Sequence, residues 1–260
     1  MPARVSARLS LTALDGIPLI QPGDDLMLII GDALRRSEIS LQNGDILVVA
    51  QKIISKAEGR MVDLATIHPS PAALIYAQMV NKDPRHVEVV LQESEEVLKV
   101  AGNALITVHK LGFVMANAGV DQSNVDHAGT EDGTVLLLPE DPDRSAAVLK
   151  SAIEAECGAT IGVVISDSFG RPWREGVTGV ALGAAGLPSL RNLVGEPDLF
   201  GRRLRISEHA AADDIASAAS LVMGQGAEGL PVVHIRGLVY DAPHLPASAL
   251  IRPKHLDVFR

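Results

Sequence analysis

Asn43-Gly44-Asp45-Ile46-Leu47-Val48-Val49-Ala50-Gln51-Lys52-Ile53-Ile54-Ser55-Lys56-Ala57-Glu58-Gly59-Arg60 is the stretch from which the fold class follows. Asn43-Gly44-Asp45 is a turn signal, and Ile46 to Ala50 is a short unbroken apolar run, as in a strand buried on both faces. No glycine-rich phosphate loop follows it. The chain contains neither G-x-x-x-x-G-K-[ST] nor a G-x-G-x-x-G that links a strand to a helix. Outward from this strand, Val5 to Leu11 alternates as a half-buried strand, Asp15-Gly16 turns, and Ile17-Pro18-Leu19-Ile20 is a short extended segment. Asp24 and Asp25 can cap a helix through about Arg36, and Pro69-Ser70-Pro71 opens another through Val80.

His86 to Ala101 is ambiguous: VEVVL has the look of a strand and ESEEVLKVA that of a helix. Strands are expected at Ala104 to His109, Phe113 to Ala116, Thr134 to Leu138, Thr160 to Ser166 and Val232 to Gly237. A helix capped by Asp143 or Ser145 runs to about Cys157, and another covers Asp213 to Met223. The tail from Ala242 has weak periodicity and either wraps a neighbour or frays. There is no steady βαβ rhythm, and several strand pairs have short polar connections. The expected class is α+β, with mainly antiparallel sheets and flanking helices, in preference to a doubly wound parallel sheet.

The 260 residues are 47% hydrophobic and 21% charged, enough for a sizeable core and too apolar for disorder. Lys and Arg number 23 against 32 Asp and Glu, a net charge of -9, which argues against a basic nucleic-acid face. Cys157 is the one cysteine, so neither an intrachain disulfide nor a cysteine-based zinc site can form. The start is too polar for a signal peptide, and no apolar run approaches the ~20 residues that span a bilayer. A soluble cytoplasmic protein is expected. No linker marks a domain boundary, so residues 1–260 are taken as one domain, or as two closely packed subdomains.

Four segments carry chemistry. Lys52, Lys56 and Arg60 fall within nine positions after the strand and could hold phosphate oxygens; the alternative is a solvated strand end paired with Glu58. Asn117 to His127 offers hard oxygen donors on a glycine-containing loop, suited to Mg²⁺ or Mn²⁺ or, equally, to capping its own backbone. In Ile165 to Gly176, a carboxylate, Asp167, emerges from a buried strand beside Ser168. Arg171 and Arg174 there could contact phosphates or carboxylates, and Phe169 and Trp173 could form an apolar wall. Met223-Gly224-Gln225-Gly226-Ala227-Glu228-Gly229-Leu230 has three glycines that would let backbone approach a ligand, or simply end a helix. The run Glu93 to Glu96 fits a solvated helix face.

In order along the chain, GIPLIQPGDDL, NGDILVVAQKIISKAEGR, NKDPRHVEVVLQES, GFVMANAGVDQSN, LLPEDPDRSA, ISDSFGRPWREG and LVMGQGAEGLPVVHIRGL resemble the coenzyme F420-0:γ-glutamyl ligase family in its stand-alone form. The further nitroreductase-like domain that some relatives carry is not expected here. The resemblance implies GTP-dependent addition of L-glutamate to coenzyme F420-0 and extension of a γ-linked glutamyl tail. It also implies an intertwined α+β homodimer, two divalent metals (Mn²⁺ or Mg²⁺) and stimulation by K⁺. By the same resemblance, Ile17, Pro18, Leu19, Ile20, Gln51, Lys52, Lys56 and Asn124 match GTP contacts. Asp121 and Asp167 match ligands of one metal and Ser168 a ligand of the second. Met223 through Leu230 matches a nucleotide- and metal-binding loop. Gln51 stands where relatives often have Ser, and Gln225 where many have Glu. The alternatives are an amide ligase or phosphotransferase of the same fold acting on another carboxylate, and a non-catalytic nucleotide and metal sensor.

Overall fold

A computed structural model describes residues 8–124, 133–240 and 242–257. In chain order the first elements are β1 (Ser10–Ala13), α1 (Leu26–Arg36), β2 (Ile46–Ala50), α2 (Gln51–Ala57), β3 (Met61–Asp63), α3 (Pro71–Val80) and α4 (Pro84–Gln92). Then come β4 (Ser94–Ala101), β5 (Ala104–His109), β6 (Val114–Ala116), β7 (Thr134–Leu136) and α5 (Pro142–Cys157). The last are β8 (Gly162–Arg171), β9 (Arg174–Ala185), β10 (Leu190–Asn192), β11 (Glu208–Ala210), α6 (Ala211–Met223) and β12 (Val232–Arg236).

The main sheet has the order β1-β12-β2-β8-β9. Its β2–β8 pair is parallel and the other three pairs are antiparallel. Its unbroken apolar strands follow from burial on both faces. Leu47 and Val49 of β2 face α1, α2 and α5, packing with Ile30, Ile54 and Ile153. Ile46 and Val48 face α6, packing with Ile215 and Ala216. Each fully buried Leu or Ile of these layers contributes about 1.5–3 kcal/mol. The small residues of β9 let the helices approach: a Cβ on Gly179 would lie 2.4 Å from the Ala216 carbonyl oxygen.

A three-stranded meander, β4-β5-β6, carries α3 and α4 over a separate apolar cluster that includes Val80, Val87, Val90 and Leu105. β3 pairs with β7, and Asp121 bridges to Leu136 beside them. The class is therefore mixed α and β with mainly antiparallel sheets, as expected. No helix among the described residues is long and apolar enough to cross a membrane.

Several local expectations are corrected. The ambiguous stretch resolves the opposite way: VEVVL lies in α4 and SEEVLKVA is β4. Asp83 caps α4 with Pro84 in the first turn, and the buried set His86, Val87, Val89 and Val90 has helical spacing. Consequently the acidic run is not a helix face, and Glu93 is held by Arg60 at 3.1 Å and Lys110 at 3.3 Å. The cap of α5 is Asp141, one residue before Pro142. Asp143 instead receives the backbone N–H groups of Ala184 and Ala247, both at 2.8 Å. Through that carboxylate the tail is fixed onto its own chain rather than fraying.

The segment after β2 is a helix, not a strand end. β8 extends five residues past its expected end at Ser166, with a register irregularity between Ile165 and Ser166. The expected first strand is shifted to Ser10–Ala13, and of its expected span residues 5–7 lie outside the described residues. His127 and Asp126 lie outside them as well.

Candidate active site

β2 and β8 run parallel side by side until β2 ends at Ala50, opposite Ser166, while β8 continues along β9 to Arg171. Where neighbouring strands of such a pair leave the sheet, a crevice opens beyond their carboxyl ends. Here it is a cavity of about 380 Å³. Ile17 to Ile20, Gln51, Lys52, Lys56, Asn124, Asp167, Ser168 and Met223 to Leu230 all line it. Five segments far apart in sequence are thus brought to one place.

Lys52 and Lys56 lie one helical turn apart on α2 and reach the same loop. Lys52 Nζ sits 2.7 Å from Asp121 Oδ2 and donates to Ser123 Oγ at 2.6 Å. Lys56 Nζ donates to the Asn124 carbonyl at 2.7 Å. Asn124 adopts the left-handed conformation that Asn tolerates, with φ 56°, and its amide donates to the Gly226 carbonyl at 3.4 Å. The loop therefore bridges α2 and the glycine-rich segment. Gln51, by contrast, is turned inward, its amide oxygen accepting the Ser55 hydroxyl at 2.9 Å.

Gly224 leaves α6 with φ 76°, and a Cβ there would fall 2.1 Å from the carboxyl carbon of Glu228. The backbone conformation, with ψ 178°, is what requires glycine, since the Glu228 side chain could swing aside. The Glu228 carboxylate is held below its usual pKa by backbone N–H groups, first its own and then that of Gly226, which donates at 2.8 Å.

The two aspartates differ. Burial alone would raise the pKa of Asp121, but Lys52 and the Ser123 amide and hydroxyl outweigh it and hold the carboxyl below the usual range. Burial pushes Asp167 up to about 6, against weaker opposition from the Ser168 amide and Lys52, while Asp121 adds like charge. Two carboxylates, one poorly compensated and close enough to repel, are oxygen donors suited to a hard divalent cation, and Ser168 is a further oxygen donor on the wall of the cavity. Among the described residues, no three His, Cys, Asp or Glu side chains gather into a self-sufficient metal cluster. Asp121 is not itself part of the cavity wall.

Arg171 and Arg174 do not join the cavity; both are exposed near the tip of the β8–β9 hairpin, and Arg171 donates to the Gly176 carbonyl at 3.4 Å. Nor do the two rings form a wall. Phe169 packs edge-on against Phe113, with centroids 6.4 Å apart, while Trp173 is 82% exposed. Gly179 and Ser220 line the cavity without any local sequence signal, and so does Ser166, from a segment that stood out for its neighbours. Ser123 lies in a segment rich in oxygen donors, but its hold on Lys52 depends on tertiary structure.

A family model described as F420-0:Gamma-glutamyl ligase matches residues 16–237. A coenzyme F420:L-glutamate ligase of Methanothermobacter thermautotrophicus is 46% identical over 256 residues, 97% of this chain and 99% of that protein. Proteins of the same name from Methanopyrus kandleri and Methanocaldococcus jannaschii are each 44% identical, over 95% and 88% of this chain and 97% and 92% of their own lengths.

Proposed function

The chain belongs to the F420-0:γ-glutamyl ligase family, and we propose that it joins L-glutamate to coenzyme F420-0 at the expense of GTP, in the biosynthesis of coenzyme F420. The observation that carries this reading is the convergence of five segments on one cavity lined by Lys52, Lys56, Asp167 and a backbone-rich loop, with Asp121, outside its wall, paired to Lys52.

A carboxylate does not condense with an amine unaided, because its oxygen is a poor leaving group. Transfer of the GTP γ-phosphoryl group to the F420-0 carboxylate breaks the β–γ P–O bond and gives an acyl phosphate and GDP. The glutamate amine then attacks the acyl carbon, the C–O bond to phosphate breaks, and phosphate leaves as the amine gives up a proton to phosphate or water. Repetition on the product's γ-carboxylate extends the tail. The protein's part is positioning and charge stabilisation.

In this reading Lys52 and Lys56 exchange their loop contacts for phosphate oxygens. Met223 to Leu230 and Asn124 close over the triphosphate, and Ile17 to Ile20 gives the nucleotide an apolar edge. Asp121, Asp167, Ser168 and Gln225 would hold Mn²⁺ or Mg²⁺ in two sites. When bound, those ions supply neutralisation of phosphate charge. We extend the proposal to stimulation by K⁺ and to a homodimer in the cytoplasm. In favour of a dimer, Leu199, Phe200 and Ile206, between β10 and β11, are 82%, 96% and 91% exposed.

The test is mass spectrometry of coenzyme F420-0 incubated with the protein, Mn²⁺, L-glutamate and GTP. The expected product is heavier by one or more glutamyl residues and forms only with GTP. No mass gain, or equal gain with ATP, overturns the reading.

A further inference from the structure

A second cavity, of about 210 Å³, lies along the β8–β9 hairpin, which also lines the first. Asp167 and Phe169 stand two positions apart on β8 and therefore share a face, about 7 Å from each other at the usual strand rise. Asp167 borders the large cavity and Phe169 the small one. Val180, paired with Asp167 across the hairpin, lines the small cavity too. The space runs from the Phe113 and Phe169 rings to Asp213 at one wall, with Arg252 on the segment that follows the main sheet.

Asp213 uses one carboxyl oxygen to accept the Ala181 N–H at 2.9 Å. Burial raises its pKa, and Asp214 adds like charge; no protein cation is among the groups acting on it in the described residues. Asp214 itself is engaged by His209 at 2.7 Å. A carboxyl group partly withdrawn from water, with no protein cation among the groups acting on it in the described residues, is suited to receive one from a ligand; the other charged groups of this cavity are Arg252 and Asp257. Arg252 is exposed and offers a planar fork to a carboxylate.

We propose that this second cavity is the pocket for the amino-acid substrate, whose ammonium group meets Asp213 while a carboxylate turns toward Arg252. The assignment rests on the ligase reading above. Size supports it, because ~300–1,000 Å³ is usual for drug-sized ligands, and 210 Å³ admits an amino acid but neither a nucleotide nor a deazaflavin. Position supports it as well, since Phe169 and Val180 of this cavity neighbour Asp167 on the hairpin, and Asp167 borders the large cavity.

The experiment is saturation-transfer NMR of L-glutamate on the protein with diamagnetic Mg²⁺ and a non-hydrolysable GTP analogue, repeated with Arg252→Gln, Asp213→Asn and Val180→Phe. Asp213→Asn keeps an acceptor for Ala181, and Val180→Phe fills the space without changing charge. Glutamate should bind the wild type, and each variant should weaken it by about tenfold or more, about 1.4 kcal/mol. GTP-analogue affinity and the unfolding midpoint should stay near wild type. No binding to the wild type, or unchanged affinity in Arg252→Gln and Val180→Phe, overturns the pocket. Because binding is read without turnover, failure of the ligase reading shows separately, as absent glutamate incorporation by a protein that still binds the amino acid here.

Discussion

Lys52 Nζ lies 2.7 Å from Asp121 Oδ2, so a protein cation stands beside the carboxylate that we propose as a metal ligand. The pair is partly exposed, with 25% and 36% of the two side chains open to solvent. Such a pair contributes about 0–1 kcal/mol to folding, so exchange of its partners on ligand entry costs little. Asp121→Ala should therefore leave a folded protein while lowering kcat by about 10²-fold or more, the scale of losing one preorganised electrostatic group. Initial rates against Mn²⁺ concentration check this, and a wild-type Mn²⁺ midpoint with wild-type kcat in Asp121→Ala removes the residue from the metal site.

The position of Asp167 predicts a pH signature. Its folded pKa, about 6, lies above the unfolded value of 3.8. Between those values the native state binds more protons, so the stability of metal-free protein should fall as pH rises from about 4 to about 6 and then level off with respect to this group. Asp167→Asn should flatten that segment of the curve. Mn²⁺ requires the ionised form, so its affinity should rise through pH 6 in the wild type. Urea unfolding of chelated protein at several pH values reads the first effect. A wild-type slope retained in Asp167→Asn contradicts the assignment.

Asp45 gives the opposite sign. Burial alone would raise its pKa, but Arg236 at 2.6 Å and His234 at 2.9 Å, together with the Gln42 amide, hold it below the usual range. Its stabilisation is present above about pH 3.8 and is lost as pH falls through the folded value. Arg236→Met leaves the nearly buried carboxylate short of its main partner and should cost about 3 kcal/mol, the low end for a broken buried pair because Arg236 is itself part-exposed. Urea unfolding at neutral pH and at pH 3 measures it: the difference between wild type and variant should shrink at the acid end.

The sheet core was legible because Ile46 to Ala50 and Thr160 to Ser166 are apolar on both faces, which few other environments require. β9 was not, since Gly179 and Gly183 make GVTGVALGAAG read as loop; their purpose is close approach to the backbone of α6 and α5. α4 and β4 were exchanged because a β-branched run can still present a helical stripe once Asp83 and Pro84 start a helix. At the site, segments with their own chemistry stood out. Their mutual contacts did not: the reach of Lys52 to Asp121 depends on the bridge between Asp121 and Leu136, a tertiary register that no local pattern encodes. Phe169 and Trp173 were linked by proximity in sequence, yet a ring on a strand follows its face, and Phe169 faces Phe113.

Gln225 carries the last prediction. It lines the cavity, as Asp167 and Ser168 do, on the exposed loop that Asn124 pins through the Gly226 carbonyl. Glu228, three residues on, is turned back onto the Gly226 amide rather than presented to the cavity as a free ligand. If Gln225 offers its amide oxygen to the second cation, Gln225→Glu adds a negative charge at nearly constant length. Ligand charge count is a main determinant of affinity at oxygen sites. The metal concentration for half-maximal rate should then drop by roughly tenfold, about 1.4 kcal/mol. If Gln225 only closes a glycine-rich turn, the new carboxylate faces water and the midpoint does not move. Titrating Mn²⁺ and Mg²⁺ against both proteins at fixed GTP separates the two. Unchanged midpoints for both metals exclude Gln225 as a ligand, whereas a lowered midpoint with little change in GTP affinity assigns it to the second metal.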